Sequence, residues 1–474
     1  MQTMPHSQEL VKELLHLVAR QRSAFGQERV YLRGIGLLLG ELMALGAHRV
    51  TDLLRTLGVN EEDWSAWYRL LKRPQRFKAA VAAEKFFEQV LTHVSSQELL
   101  VVGGDATSIP RNSKRLEGTG WGKCPRNPPF KISIHLAQRF FNGCWLAPME
   151  HGFSRAIPLR FEPAFTEKTA RKQHPAQKEQ AAAVTFLKWV REGLTCAGRS
   201  EQVILALLDG SYDKPDFWLN LPSNTIALVR TAKNRALKYF PEPYAGKGRH
   251  RVYGQPAPAP QAYLAQKAGW NSLHVPVRGH SRKMNYRVEG PFLRQLMAAV
   301  PVFLICVRGQ SWEKGSKNKR RSPVYYLVNA VKVGDKWVLP LPIKTLLKWA
   351  WQRWELEVVH REVKSVFGLG DKQAFNPHAA VSSVQWSAWG YANLMLAGYR
   401  TYGLAKAVTR QDAWRWRHPR RWTVTTLLDR CRVELTTDDP FQRLFSRSKH
   451  NWLEMEQILL DRCLPSPTAS FFSP

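Results

Sequence analysis

Three carboxylates stand out because of the residues that precede or flank them. Asp105 lies near the end of an apolar stretch that begins at Leu99, Asp209 follows the apolar run Val203–Leu208, and Glu357 lies in a charged helical pattern. Two aspartates that buried strands hold close together repel each other unless a cation lies between them. Hard divalent cations prefer oxygen ligands, and Mg²⁺ takes one or two carboxylates together with water and phosphate oxygens. The three acids therefore predict a two-metal site, in which one ion activates a nucleophile and the other stabilises a leaving oxygen.

The third acid lies on a segment with strong helical signals. Residues 349–364 contain neither Gly nor Pro, and glycines follow at 368 and 370, so we predict one helix. Because successive helical residues are 100° apart, one face carries a carboxylate flanked by cations and the neighbouring face is apolar. The polar face holds Arg353, Glu357, His360 and Lys364, and the apolar stripe holds Leu356, Val359, Val363 and Phe367. The alternative for the polar face is an ordinary solvated surface with i,i+4 ion pairs.

The first two acids are positioned by predicted strands. The order is three strands, a helix, and then a strand with a second Asp at its end, which is typical of a ribonuclease H-like α/β core. In such sheets the chemistry lies outside the strand ends. For either aspartate alone, a turn or helix-capping role is the alternative. The predicted elements are strands at 99–109, 130–137 and 144–149 (the last after a turn at Gly143), a helix at 169–193, and strands at 203–208 and 225–230.

Charge and composition indicate the kind of partner. The 474 residues include 70 Lys and Arg but 38 Asp and Glu, a formal net charge of +32. A field of this sign favours a polyanion, most commonly nucleic acid. We find no basic amphipathic helix for an acidic membrane surface, and the long uncharged run 381–399 contains polar residues typical of a buried helix. The six cysteines are scattered without a CxxC pair, so we expect reduced thiols, no zinc site and a soluble, cytoplasmic protein.

The first 95 residues have helical patterns throughout. Residues 50–72 combine two helical stretches with a Gly58 turn, and a basic run follows at 72–78. This pattern suits a helix-turn-helix, and an ordinary helical hairpin is an equal alternative. We predict an α-helical DNA-contacting domain.

The motifs around the three acids resemble those of the DDE transposases of bacterial insertion sequences, in the branch with a Tyr-x2-Arg-x3-Glu-x6-Lys signature. Arg353-x3-Glu357-x6-Lys364 matches this spacing, but Ala350 stands at the Tyr position, with Trp349 and Trp351 alongside. The first and second acid motifs are similar to Gly104-Asp105-Ala106-Thr107 and Leu208-Asp209-Gly210-Ser211-Tyr212.

The resemblance implies cut-and-paste transposition. Asp105, Asp209 and Glu357 would bind two Mg²⁺, for which Mn²⁺ can substitute, and DNA carrying the element's terminal inverted repeats would be cut and joined to target DNA by a dimer on the bacterial nucleoid. Arg353, Lys364 and Arg361 would hold DNA phosphates, with ion pairing to Glu357 as the alternative for the first two. Relatives flip a base onto an aromatic residue, for which Trp270 and Trp312 are candidates, with a core role as the alternative for each.

We therefore expect an α/β protein whose ribonuclease H-like catalytic core is interrupted by a β-rich insertion. Another ribonuclease H-like nuclease and an inactive DNA-binding relic of a transposase remain alternative functions. The expected segments are an α-helical N-terminal domain at 1–95, the first part of the core at 96–232, the insertion at 233–335, the second part of the core at 336–400, and a basic C-terminal region with a disordered tail at 401–474.

Overall fold

The computed structural model describes most of the chain. The described residues are 9–59, 63–123, 133–171, 174–243, 246, 249–309, 322–374, 376–404 and 421–437. Within them the protein has a mixed α/β architecture with one large sheet and helices packed against it.

The large sheet has ten strands, and its middle is parallel. The strand order is β2-β3-β1-β5-β6-β10-β9-β8-β7, with β4 paired to β3, and β11 and β12 form a separate hairpin. Strands β1, β5 and β6 run parallel to one another, and the neighbouring pairs are antiparallel. The strands are β1 Leu100–Pro110, β2 Thr119–Lys123, β3 Ile134–Leu146, β4 Ala156–Pro163, β5 Ile204–Leu208, β6 Thr225–Thr231, β7 Asn271–Val277, β8 His280–Phe292, β9 Val302–Val307, β10 Val324–Asn329, β11 Val331–Val333 and β12 Lys336–Val338.

The longest described helix organises the helical layer. It is α10, and 19 of its residues are buried because it packs on β4 and on helices from the N-terminal part of the chain. The helices are α1 Glu9–Ala19, α2 Glu28–Met43, α3 Val50–Thr56, α4 Ser65–Lys72, α5 Ala79–Leu91, α6 Glu179–Cys196, α7 Pro215–Leu219, α8 Ile343–Gln352, α9 Trp354–Ser365, α10 Pro377–Tyr402 and α11 Val424–Thr437. Among the helices of the described residues, none has both the length and the apolar character that crossing a membrane requires.

The predicted turn at Gly143, between strands at 130–137 and 144–149, was wrong. The structure has one strand, β3, that runs through Gly143, and a further strand, β4, that the sequence reasoning did not find. Gly143 is present because of packing: a Cβ there would lie 2.3 Å from the Phe186 ring of α6. The helix predicted at 169–193 begins later, at Glu179.

The single helix predicted at 349–364 is two helices, α8 and α9, which meet at Arg353. The predicted end is confirmed, because α9 ends at Ser365 and Gly368 and Gly370 have φ of +56° and +104°, which favour glycine. The apolar stripe Leu356, Val359, Val363 and Phe367 is confirmed, with each side chain at most 1% exposed.

The described part of residues 233–335 contains several strands. Four of them, β7 to β10, continue the central sheet beyond β6. In the structure, this segment thus enlarges the sheet that carries the first two acids.

Candidate active site

Asp105 and Asp209 lie on neighbouring parallel strands at equivalent positions. The register pairs Gly103 of β1 with Leu207 of β5, and each aspartate lies two residues beyond that pair. Residues two apart on a strand point to the same face, so the register carries both carboxylates to one face of the sheet. Asp209 follows the last residue of β5, as predicted, whereas Asp105 lies in the middle of the 11-residue β1.

A glycine on β1 lets the helix that carries Glu357 come close to the sheet. A Cβ at Gly103 would lie 3.1 Å from the Leu356 side chain of α9 and 3.1 Å from the backbone oxygen of Leu207. Leu356, which is fully buried, immediately precedes Glu357. The contact therefore anchors the first turns of α9 against the strands that carry the two aspartates.

The charges of the other two acids act on Asp105. Burial raises the pKa of Asp105 to about 6, and the negative charges of Asp209 and Glu357 shift it in the same direction. A hydrogen bond of 2.8 Å from the backbone N–H of Ala106 and the charge of Arg353 act against this rise. Desolvation and like charge thus raise the pKa of this carboxyl towards neutral pH, a pattern found at functional sites.

The predicted cations lie at both ends of α9. An Nη2–Oε1 hydrogen bond of 2.9 Å joins Arg353 to Glu357, and the Lys364 ammonium donates to the backbone oxygen of Ser108 on β1 at 3.1 Å. The ion-pair alternative for Arg353 is therefore realised in this structure. Lys364 lies instead against the strand that carries Asp105, and Arg361 is exposed on α9.

Two buried polar side chains beside the acids were not assigned a role from the sequence. The Tyr212 hydroxyl is buried without a hydrogen-bond partner among the described residues, and burial together with the Asp105 charge raises its pKa. The Nε2 of His360 is likewise buried without a partner in the described part of the chain, and burial with the charges of Lys364 and Arg353 lowers the pKa of His360 to about 3. Both residues stood in the quoted motifs, but only the tertiary structure reveals their unsatisfied atoms.

The contacts of the described residues do not bring the remaining candidates to the three acids. Trp270 donates from Nε1 to the Gln266 backbone oxygen at 2.9 Å, and the Arg308 guanidinium lies 4.0 Å from its ring centre. Trp312 lies outside the described residues. Ala350, at the signature Tyr position, is buried on α8.

The donor set suits a hard divalent cation, although no metal site is preformed in the described residues. No three of their His, Cys, Asp and Glu side chains are grouped as ligands of one ion. Burial is the main cause of the raised pKa of Asp105, the charges of Asp209 and Glu357 add to it, and a divalent cation would relieve the repulsion among the three carboxylates. In this structure Arg353 supplies the neighbouring positive charge.

The large mixed sheet and the helices form a mixed α/β architecture that is compatible with a DDE nuclease fold. Comparison with protein families agrees: the family model described as DDE superfamily endonuclease matches residues 29–289, more than half of the chain. The chain belongs to this DDE superfamily endonuclease family, which implies DNA as substrate and generally uses divalent metals. A search of curated proteins found no match to the chain. Asp105 and Asp209 lie inside the matched range, and Glu357 lies beyond it.

Proposed function

We propose that this chain is a DNA transposase with a ribonuclease H-like core, which binds insertion-sequence ends and catalyses metal-dependent strand cleavage and strand transfer. The observation that carries the proposal is that strand register brings Asp105 and Asp209 to one face of the sheet, while Leu356, next to Glu357, packs on Gly103 of the same strand as Asp105. The family match supports the nuclease part of the proposal. The Arg353-x3-Glu357-x6-Lys364 spacing supports the transposase part.

In this proposal Asp105, Asp209 and Glu357 hold two Mg²⁺. Bound Mg²⁺ would activate the attacking oxygen and stabilise the leaving oxygen of a phosphodiester. The chain's own contribution is to fix the carboxylates: two by strand register and the third by the packing of Leu356 on Gly103. Glu357 is paired with Arg353, so ligand binding exchanges this partner for a metal ion.

The cations of α9 would then bind the DNA backbone. Arg353 can turn from Glu357 to a phosphate, since guanidinium groups bind carboxylates and phosphates with the same paired geometry. Lys364 lies over the end of β1 beyond Asp105, and exposed Arg361 extends the positive charge along the helix. The N-terminal helices α1 to α5 would contact terminal repeats, and a dimer would hold two ends together.

The experiment that tests this function is Mg²⁺-dependent cleavage of a duplex taken from the flanks of the coding region, with the parent and Glu357→Gln compared. This change keeps the side-chain size and removes the charge. Replacing a residue that merely supports a metal ligand lowers metal affinity or activity by about 10- to 100-fold. Loss of the ligand's own charge should therefore reduce the rate of cleavage by at least about 100-fold. Glu88→Gln, on an exposed position of α5, is the matched control and should cut like the parent.

The products separate the proposed function from its alternatives. Cutting at the flank boundary followed by joining of the new 3′ end to target DNA supports a transposase. Cutting without end preference or joining supports another ribonuclease H-like nuclease. DNA binding without cutting by the parent supports an inactive relic, and equal cutting by parent and Glu357→Gln contradicts the catalytic assignment.

A further inference from the structure

The hairpin formed by β2 and β3 exposes an aromatic ring together with positive charge. Trp121 is 60% exposed and Ile134 is 63% exposed, and the register pairs Trp121 with Leu136 and Lys123 with Ile134. Because residues two apart on a strand share a face, these side chains form one surface. The Lys114 ammonium also lies 5.6 Å from the centre of the Trp121 ring. We call Lys114, Trp121, Lys123 and Ile134 the hairpin patch.

The base of this hairpin is firmly held. The buried Glu117 carboxylate accepts hydrogen bonds from the backbone N–H groups of Arg171 and His174, at 2.9 and 3.1 Å. Burial alone would raise the pKa of Glu117, but the hydrogen bonds from His174 and Arg171 keep it below its ordinary value. Buried Arg111 also donates to the Gln138 side chain at 2.8 Å. The exposed patch thus projects from a rigid base, which a binding surface requires to limit the entropy lost on association.

The hairpin lies beside the half of β1 that follows Asp105. On β3 the register runs from Asn142, opposite Asp105, to Ala137, opposite both Pro110 of β1 and Gly120 of β2. The patch therefore lies farther along the direction in which β1 runs past Asp105. Lys364 reaches the same end of β1, through Ser108.

An exposed tryptophan between lysines is poorly explained by folding alone. Large aromatic side chains contribute to stability by burial, and Trp121 leaves most of its surface in water. Stacking on a nucleobase covers an indole ring, and neighbouring ammonium groups neutralise the phosphates on either side of that base. Both needs are met by unpaired DNA, because a paired base has its faces covered by its neighbours in the duplex.

We propose that the hairpin patch is a binding site for unpaired nucleotides of the DNA substrate, with the Trp121 indole stacked on a base and Lys114 and Lys123 on adjacent phosphates. This inference rests on the proposed function, because the unpaired nucleotides belong to the DNA that the chain is proposed to cut. It adds a single-strand contact that neither the three acids nor the α9 cations provide.

The test measures binding without cutting. A fluorescein-labelled oligothymidylate is titrated with the full-length chain in EDTA, and anisotropy gives Kd. Replacing an aromatic side chain that stacks on a base by alanine typically weakens binding by about 5- to 150-fold, so the Kd of Trp121→Ala should rise by a factor in this range. Trp121→Phe, which retains a ring, should bind with an affinity close to that of the parent. Lys123→Gln should weaken binding and reduce its salt dependence.

The second hairpin provides matched controls. Val333 of β11 is 62% exposed and Lys336 of β12 is also exposed, so Val333→Ala removes an exposed apolar side chain and Lys336→Gln an exposed positive charge elsewhere. Both should bind oligothymidylate like the parent. Unchanged affinity in Trp121→Ala would overturn the site. If the sedimentation coefficient of that variant also changed, the patch would instead join two protein chains. The cleavage assay fails or succeeds independently, since this titration contains no divalent metal.

Discussion

The carboxyl groups of two aspartates, Asp105 and Asp213, lie in very different environments. Asp213 follows Asp209 on the same loop and is fully buried. It accepts hydrogen bonds from Trp218 and Thr231, and ion pairs join it to Arg235 at 2.7 Å and to Arg294. Asp105 has one backbone donor and lies near two other acids. The donors around Asp213 stabilise its charge and hold the fold together, whereas burial and two like charges disfavour the charge of Asp105.

The largest expected effect is at the satisfied aspartate. Asp213→Ala leaves Arg235 and Arg294 without their common partner, and breaking a buried ion pair by removing one side costs about 3–5 kcal/mol. Urea unfolding followed by circular dichroism would measure the loss. A loss below about 1 kcal/mol would mean that Asp213 and Asp105 do not differ in the way described.

A smaller effect of opposite sign is expected at the other aspartate. Because the pKa of Asp105 in the folded chain is about 6, above its ordinary value of 3.8, its ionisation destabilises the fold at any pH above about 6. As pH falls through 6 towards 4, protonation relieves this cost. Each pKa unit corresponds to about 1.4 kcal/mol, and partial exposure reduces the effect, so Asp105→Asn should be about 1–2 kcal/mol more stable than the parent at pH 7.5.

The pH dependence supplies the control for that change. The advantage of Asp105→Asn should shrink as unfolding is measured at successively lower pH towards 4, because the carboxyl of the folded parent is protonated below about pH 6 and the ionisation cost is then lost. An advantage that is the same at pH 7.5 and pH 4.5 would point to packing instead of charge. Mg²⁺ added at pH 7.5 should stabilise the parent more than Asp105→Asn.

The smallest expected effect is at Arg353, whose positive charge acts on both Glu357 and Asp105. Arg353→Met breaks a partly exposed i,i+4 pair with Glu357, for which about 0.5 kcal/mol of stability is typical. Since Arg353 opposes the rise in the pKa of Asp105, its loss should raise that pKa further above 6. Carbon-detected NMR titration of the aspartate carboxyls would measure the shift, and no upward movement would show that Arg353 is too distant to act on Asp105.

The sequence predicted the elements whose patterns are strong and local. The stripe from Leu356 to Phe367 has helical spacing, and β5 is a continuous apolar run, so periodicity was sufficient for both. The break between α8 and α9 has no Gly or Pro to mark it, and thus could not be found from local propensity. Strand β4 contains Pro158 and Pro163, which an edge strand tolerates but which argue against a strand when the sequence alone is considered.

The candidate site shows the same division. Pattern and resemblance selected the three acids, and the Arg353–Glu357 ion pair was foreseen as an alternative because it depends on helical spacing alone. The buried hydroxyl of Tyr212 and the buried Nε2 of His360 depend on which distant elements cover them. Spacing along a chain carries no such information.

Gly103 makes the geometry of the candidate site sensitive to a residue that has no functional group. Its hydrogen atoms occupy a gap between sheet and helix in which a methyl carbon would meet three neighbours at 3.1–3.2 Å. Adding that carbon would require these neighbours to shift by a few tenths of an ångström, and Leu356 precedes Glu357, so the change would act on the position of Glu357 while leaving every carboxylate chemically intact. In the proposed function, the spacing of the three acids therefore depends on a position that no inventory of charged residues would include.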